Sequence, residues 1–334
     1  MVNVRLLTFV WMVRATIPPM NHRLAATREN LHGHFSRDLK PVLRIEQGDT
    51  VTFQCLDAGW GLEPHNGVDI HRKEIPNRDP GLDDGHALTG PIWVNGSMPG
   101  QTLKVQIESL ELGEWGTTMI GGWPSDWNRK LGIESEGIFF VWTYADGRAT
   151  NQFGHSVPVA PFMGIYGMPT NEPDVLSTIP PRRTGGNLDC KELVAGSILY
   201  LPIEVEGALF STGDGHAAQG DGEVCVTAIE TPMDQVQLTF DIVDDMPIKS
   251  PVANTPKGWL AMGFGETLDD AMTSAIDSMT HLMGLLFGLD YLKALGLCSV
   301  GVDFRVTQVV NGVVGVHAVL PHGKIAFDTN SPRG

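Results

Sequence analysis

The four cysteines, Cys55, Cys190, Cys225 and Cys298, stand far apart with no CxxC pair, which excludes a zinc ribbon and a thioredoxin-type motif. Reduced core thiols in a cytoplasmic protein are the default reading. Basic charge is scarce: 23 Lys and Arg against 39 Asp and Glu leave a net charge of −16. With no Lys/Arg-rich stripe, such a surface repels nucleic acid and an anionic membrane alike, so both are poor partners, whereas a small neutral molecule is indifferent to it. Long apolar runs are missing too, and no later stretch is long enough to span a bilayer. The nearest to a leader, RLLTFVWMV, is closed by Arg14 and followed by no small-residue cleavage site. Residues 1–19 therefore read as an extension or a mis-assigned start, and the expected location is cytoplasmic. Dinucleotide and phosphate-loop glycine patterns, GxSxG and HExxH are all absent; in GSMPG the serine is one place off.

What is present is glycine and proline, 39 and 22 of 334 residues, spread without a period. That pattern predicts many turns and short strands, and 42% hydrophobic residues are ample for a core of two or three packed units. PVLRIEQGDTVTFQCLDA (41–58) alternates around a Gly48-Asp49 turn and reads as a hairpin-like strand pair. GPIWVNGSMPGQTLKVQIESLEL (90–112) repeats the form across a Pro-Gly turn, with Leu103, Val105 and Ile107 on one face. Together these make an N-terminal β unit over 20–115, and 116–334 is a β-rich remainder integrated with it. The exception to the β pattern follows Thr267, which with Asp270 forms a capping-box-like start. From there Ala271, Ala275, Met279 and Leu282, with Met272, Ile276, Met283 and Leu286, fall at helical spacing and predict a helix pair packed on the core. Two strands over 303–320 close the chain. The fold class is mainly β with a smaller α+β part.

One stretch concentrates chemistry: FSTGDGHAAQGDGEVC (210–225), a charged, glycine-rich segment that reads as a loop between strands. Asp214 and His216 are two apart, so extended backbone points both side chains the same way, and the pair suits a borderline metal such as zinc. Glu223 opens the expected next strand, 223–230, and folds back if Gly220–Gly222 turns. Two ligands do not complete a site, and Asp57 and His86 are the nearest further carriers of suitable chemistry. From the spacing alone a plain acidic turn stays the default reading. Cys225 and Cys298 have no neighbouring base and read as inert thiols. Trp115, Trp123, Trp127 and Trp142 read as packing, with a lid or subunit contact as alternatives.

GALFSTGDGHAAQGDGEVCVTAIET closely resembles the signature stretch of the acetamidase/formamidase family. KPVLRIEQGDTVTFQCLDA, HALTGPIWVNGSMPGQTLKV, PFMGIYGMPT and GGNLDCKELVAGSILYLPIEVEG resemble it as well, in the family's order, from about residue 21 to about residue 320. The resemblance implies a fold with sandwich-like and barrel-like parts and a small α+β element, assembled as a homo-oligomer. It implies an amidohydrolase that releases ammonia from a short aliphatic amide, with zinc or, in some members, calcium. Carried over residue by residue, it gives Asp57, Asp214 and His216 as metal ligands, Glu223 as the base and His86, within HALTGP, as a further catalytic residue. Gly213, Gly215, Gly220 and Gly222 are expected to bring loop backbone close to metal and substrate and to offer N–H groups to an oxyanion. Segment 113–160 does not align with the family pattern and is expected to help line the pocket. Two alternatives stand beside this reading: a hydrolase of another small C–N bond, a lactam or carbamate, and a non-catalytic metal-binding β-protein.

Overall fold

Along the strand Thr50–Cys55, Val51, Phe53 and Cys55 are buried and the residues between them are not. This period of two marks a strand with one face on a core. The strand Thr102–Leu112 repeats it through Leu103, Val105 and Ile107, and Met233–Val243 through Val236, Leu238 and Phe240. The computed structural model, which describes residues 18–65 and 71–326, makes these three strands neighbours in a nine-stranded sheet. A twelve-stranded sheet faces it and supplies Ile92, Val94, Met163, Tyr166 and Phe210 to the shared core. The architecture is mainly β, as the sequence predicts. At the seam the rings of Phe53, Phe210 and Phe240 meet edge to face, with centroids 5.0 to 6.3 Å apart, a packing worth more than area burial alone. The expected extension, residues 1–19, lies almost wholly outside the described residues.

Two expected hairpins are instead crossings between sheets. The turn at Gly48-Asp49 forms, with Gly48 at φ +88°. Yet the strand before it, Leu43–Ile45, pairs in parallel with Leu88–Val94, while Thr50–Cys55 pairs with Met233–Val243. Likewise Leu88–Val94 lies in the larger sheet and Thr102–Leu112 in the smaller. A turn signal says that the chain reverses; it does not say that the flanking strands bond to each other. Both sheets therefore draw strands from 20–115 and from the rest of the chain: Thr102–Leu112 bonds Met233–Val243, and Leu88–Val94 bonds Phe210–His216.

The helix pair occurs as predicted, Leu268–Phe287 and Tyr291–Gly301, bent by 109° at the break. Thr267 caps the first helix by accepting the Asp270 N–H. Ala275, Met279, Leu282 and Met283 face the sheet, but Met272 is 38% exposed because it falls off that stripe. No single described helix is long and apolar enough to cross a membrane. The strand Gly258–Gly265 is buried on both sides: Leu260 and Met262 belong to the sandwich core, Ala261 to the core under the helices. Gly263 permits the closest approach, since a Cβ there would lie 2.1 Å from the Ala275 nitrogen and 2.4 Å from the Ala271 oxygen. The substitution Gly263→Ala is expected to push the helix off the sheet and cost about 1–3 kcal/mol, the usual penalty of overpacking. Urea unfolding checks this: a lower midpoint at unchanged slope is expected, and an unchanged midpoint overturns it.

Candidate active site

The segment Phe210–His216, expected as part of a loop, is a strand buried at all seven positions. Its glycines give it poor strand propensity, but neighbours on both sides satisfy its backbone: Phe162–Gly167 on one edge, and Leu88–Val94 and Glu230–Thr231 on the other. Gly213 and Gly215 accordingly sit against the Ala87 oxygen and the Met233 side chain. The expected strand over 223–230 does not form. Glu223 and Val226 have φ of +47° and +78°, and the segment turns back on itself. Side chains from the strand Trp115–Gly121 and the short helix Asp126–Leu131 hold it: Thr118 donates to the Ala228 oxygen and the Trp127 indole to the Val224 oxygen. The N–H groups of Gly222 and Glu223 are spent on the oxygens of Thr307 and Gly220, so neither is available to an oxyanion.

Folding this way brings five ionisable side chains together in the interior: Asp189, Asp214, His216, Glu223 and Glu230. His216 Nε2 lies 3.3 Å from Asp214 Oδ1 and 3.1 Å from Glu230 Oε2, as the two-residue spacing of Asp214 and His216 predicts. Phe162 fixes the imidazole edge to face, with centroids 5.0 Å apart. Glu230 also accepts the Ala228 N–H at 2.7 Å. Asp189 accepts from the Asn311 amide at 2.6 Å through Oδ2. Gly164 forms the floor: a Cβ there would lie 2.2 Å from Asp214 Oδ2 and 2.7 Å from Asp189 Oδ1.

Burial in so small a volume sets the protonation. It raises Asp189 and Glu230 to about 7; Asp214 adds to the rise in both, and His216 opposes it. Burial, reinforced by the neighbouring Asp189, carries Glu223 well above the carboxylate range. For His216 burial acts downward, but Glu230 and Asp214 outweigh it and hold the imidazolium well above its ordinary range. Burial pushes Asp214 up, yet His216 and His86 together bring it below the ordinary carboxylate range. Positive charge is in short supply here. Asp189 Oδ1, Glu223 Oε2 and His216 Nδ1 are buried with no hydrogen-bond partner among the described residues. Donor atoms of Asp189, His216 and Glu223 lie within 4.8 Å of one another, as do those of Asp214, His216 and Glu230. Oxygen and imidazole donors in this number suit a divalent ion, zinc included.

Asp57, expected among the metal ligands, is outside both triads. Its Oδ2 accepts from Arg72 at 2.7 Å and its Oδ1 from the Gly61 N–H at 2.6 Å. His86 is also outside them, with Nδ1 2.7 Å from Thr178 Oγ1. Both nevertheless line the cavity of about 620 Å³ into which Asp189, Asp214, Glu223 and Glu230 face. Thr117 and Met119 line it too, which places part of segment 113–160 at the pocket. A larger groove, about 1030 Å³, runs along the helix Leu268–Phe287 but holds no such carboxylate cluster. Sequence reasoning missed Asp189, Glu230 and Asn311. Asp189 stood inside a quoted motif, GGNLDCKEL, and Glu230 ended a run read as a core strand; nothing local marked Asn311. The substitution Gly164→Ala is expected to shift Asp189 and Asp214 together and lower the cluster's affinity for a divalent ion about tenfold. Competition with a chromogenic chelator measures it, and unchanged affinity overturns the assignment of this floor.

The family model described as the Acetamidase/Formamidase family matches residues 19–169 and 170–322. The chain is 51% identical over 253 residues to the acetamidase of Mycolicibacterium smegmatis, covering 58% of this chain and 61% of that protein. It is 27% identical over 287 residues to the formamidase of Methylophilus methylotrophus, covering 66% and 67%. The solved structure of the acetamidase from Yersinia enterocolitica superimposes with a TM-score of 0.80 at 27% identity, covering 94% of this chain and 96% of that one. The two sheets, the buried carboxylate cluster on Phe210–His216 and these likenesses converge: the chain belongs to the acetamidase/formamidase family and is an amidase.

Proposed function

We propose that the protein hydrolyses a short aliphatic amide, formamide or acetamide, to the carboxylate and ammonia, with Glu223 as general base and then general acid. The observation that carries this reading is the Glu223 carboxyl, buried in the cavity wall, held well above the ordinary range and unpartnered at Oε2. An amide resists water because its nitrogen donates into the carbonyl. Cleavage needs a water stripped of a proton and an amine that leaves protonated. Once ionised, as the positive charge of a bound divalent ion would favour, the Glu223 carboxylate can accept the proton from water, and the proton affinity that burial gives it suits it to hold that proton and hand it to departing ammonia. Asp189 and His216 on one side, and Asp214 and Glu230 with His216 on the other, are the residues that would hold a divalent ion. Such an ion, when bound, supplies Lewis acidity that makes water nucleophilic near neutral pH. His86 and Asp57 line the same cavity; the Asp57–Arg72 pair fixes part of its wall. The net charge of −16 fits a neutral substrate rather than an anionic one.

The names borne by the relatives support the substrate class, acetamidase in one case and formamidase in the other. The direct test is ammonia release from formamide, acetamide, propionamide and a lactam, before and after chelation with zinc or calcium add-back. Release from the linear amides, lost on chelation and restored by one ion, is expected; release from the lactam alone would move the assignment to cyclic C–N bonds. The Glu223→Gln variant is expected to retain zinc while turnover falls about 10²–10⁴-fold, the usual contribution of a positioned acid–base group. Turnover at the wild-type rate removes Glu223 from the base role. A homo-oligomer and a cytoplasmic location belong to the same reading, checked by light scattering and by cell fractionation.

A further inference from the structure

The last two strands, Asp303–Gln308 and Val314–Pro321, lie far along the chain from the signature stretch. The hairpin loop between them nevertheless reaches the site at two places. Backbone meets backbone where the Gly222 N–H donates to the Thr307 oxygen at 3.0 Å and the Val309 N–H to the Gly222 oxygen at 3.2 Å. That docks the residue immediately before Glu223. Three residues on from Gln308, Asn311 turns its amide into the cavity wall and donates to Asp189 Oδ2 at 2.6 Å. Asn311 is held by Gln308, a fully buried side chain whose amide oxygen and nitrogen are both engaged. Gln308 Oε1 accepts the N–H groups of Val310 at 2.9 Å and Asn311 at 3.2 Å, and Nε2 donates to the Val313 oxygen at 2.7 Å.

We infer that Asn311, seated by Gln308, is a positioning residue that aims Asp189 Oδ1 at the Asp189–His216–Glu223 triad, and that this hairpin sets the spacing between Asp189 and Glu223. The physical reason lies in the carboxylate itself. Asp189 has φ +47°, is buried, and has one oxygen with no partner. Without a donor on Oδ2 its carboxyl can rotate, and the aligned acceptor at Oδ1 is lost. The amide supplies direction without charge; a lysine or arginine there would compete with any cation that Asp189 and His216 hold. Hydrogen bonds of this kind, one step out from a metal's own ligands, change metal affinity or activity about 10–100-fold when removed. The inference rests on the proposed site, but its main readout does not require turnover.

The experiment measures zinc affinity, by chelator competition, for the wild type, Asn311→Ala, Asp189→Asn and the double variant, each as the full chain. Asn311→Ala is expected to weaken zinc binding about tenfold or more. In the Asp189→Asn background the same change is expected to cost less than about threefold, because a residue acting through Asp189 has nothing left to position. Equal losses in both backgrounds, or none in the first, overturn the inference. Should Asn311→Ala fail to fold, the isosteric Asn311→Asp exchanges the donor for an acceptor at the same size and is read by the same cycle. Ammonia release provides the second readout: kcat is expected to fall with KM within about threefold, whereas a loss confined to KM counts against positioning. If the wild type binds zinc but releases no ammonia from any amide, the proposed function fails while the affinity cycle still decides the role of Asn311.

Discussion

Four carboxyl groups are gathered around one imidazole in a place that water scarcely reaches, and the rest of the structure is arranged to make that tolerable. Charges of one sign cannot share a dry cavity without compensation. Here compensation comes partly from His216, partly from protons held on Asp189, Glu223 and Glu230. A divalent ion would provide the same compensation with chemistry added. The raised carboxyls and the unpartnered oxygens of Asp189 and Glu223 are two expressions of one shortage of positive charge.

The cost appears in the backbone. Asp189, Asp214 and Glu223 have φ of +47°, +60° and +47°, in the left-handed region that side chains other than glycine rarely adopt. Each such residue costs on the order of 1–3 kcal/mol, and such strain persists only where the surroundings over-determine it. They do so here. The strand carrying Asp214 and His216 is bonded on both edges; the turn carrying Glu223 is pinned by Thr307, Trp127 and Thr118; Asp189 is gripped by Asn311. The three strained residues come from two separate parts of the chain, yet their carboxyls converge on one imidazole.

The sandwich supplies the rigidity that this convergence needs. The two sheets exchange strands along the chain, so the seam around Phe53, Phe210 and Phe240 ties the signature strand to both layers. The helix pair covers the far face of the smaller sheet and leaves the outgoing hairpin free to reach across to the site. Asp57 illustrates how position alters role. It sits at the cavity, buried, but an arginine and a backbone N–H use both of its oxygens.

The alternation of apolar residues at Val51, Phe53, Leu103 and Val105 determined that those segments are strands, because a period of two has one physical solution against a core. The Thr267 cap and the alanine stripe after it determined the helix in the same local way. The pairing of Asp214 with His216 was also local, since residues two apart on an extended chain share a face. Which strands bond was not local, and both predicted hairpins became crossings between sheets once distant partners competed for their edges. Nor could the sequence show that Phe210–His216 is a strand, because its glycines have little strand propensity and only neighbours on both sides hold it extended. The full cluster belongs to tertiary structure alone. Asp189, Glu230 and Asn311 come from separate stretches with no shared motif: sheet register sets Glu230 opposite His216, Asp189 follows the strand Gly185–Asn187, and Asn311 reaches Asp189 from the loop of the last hairpin.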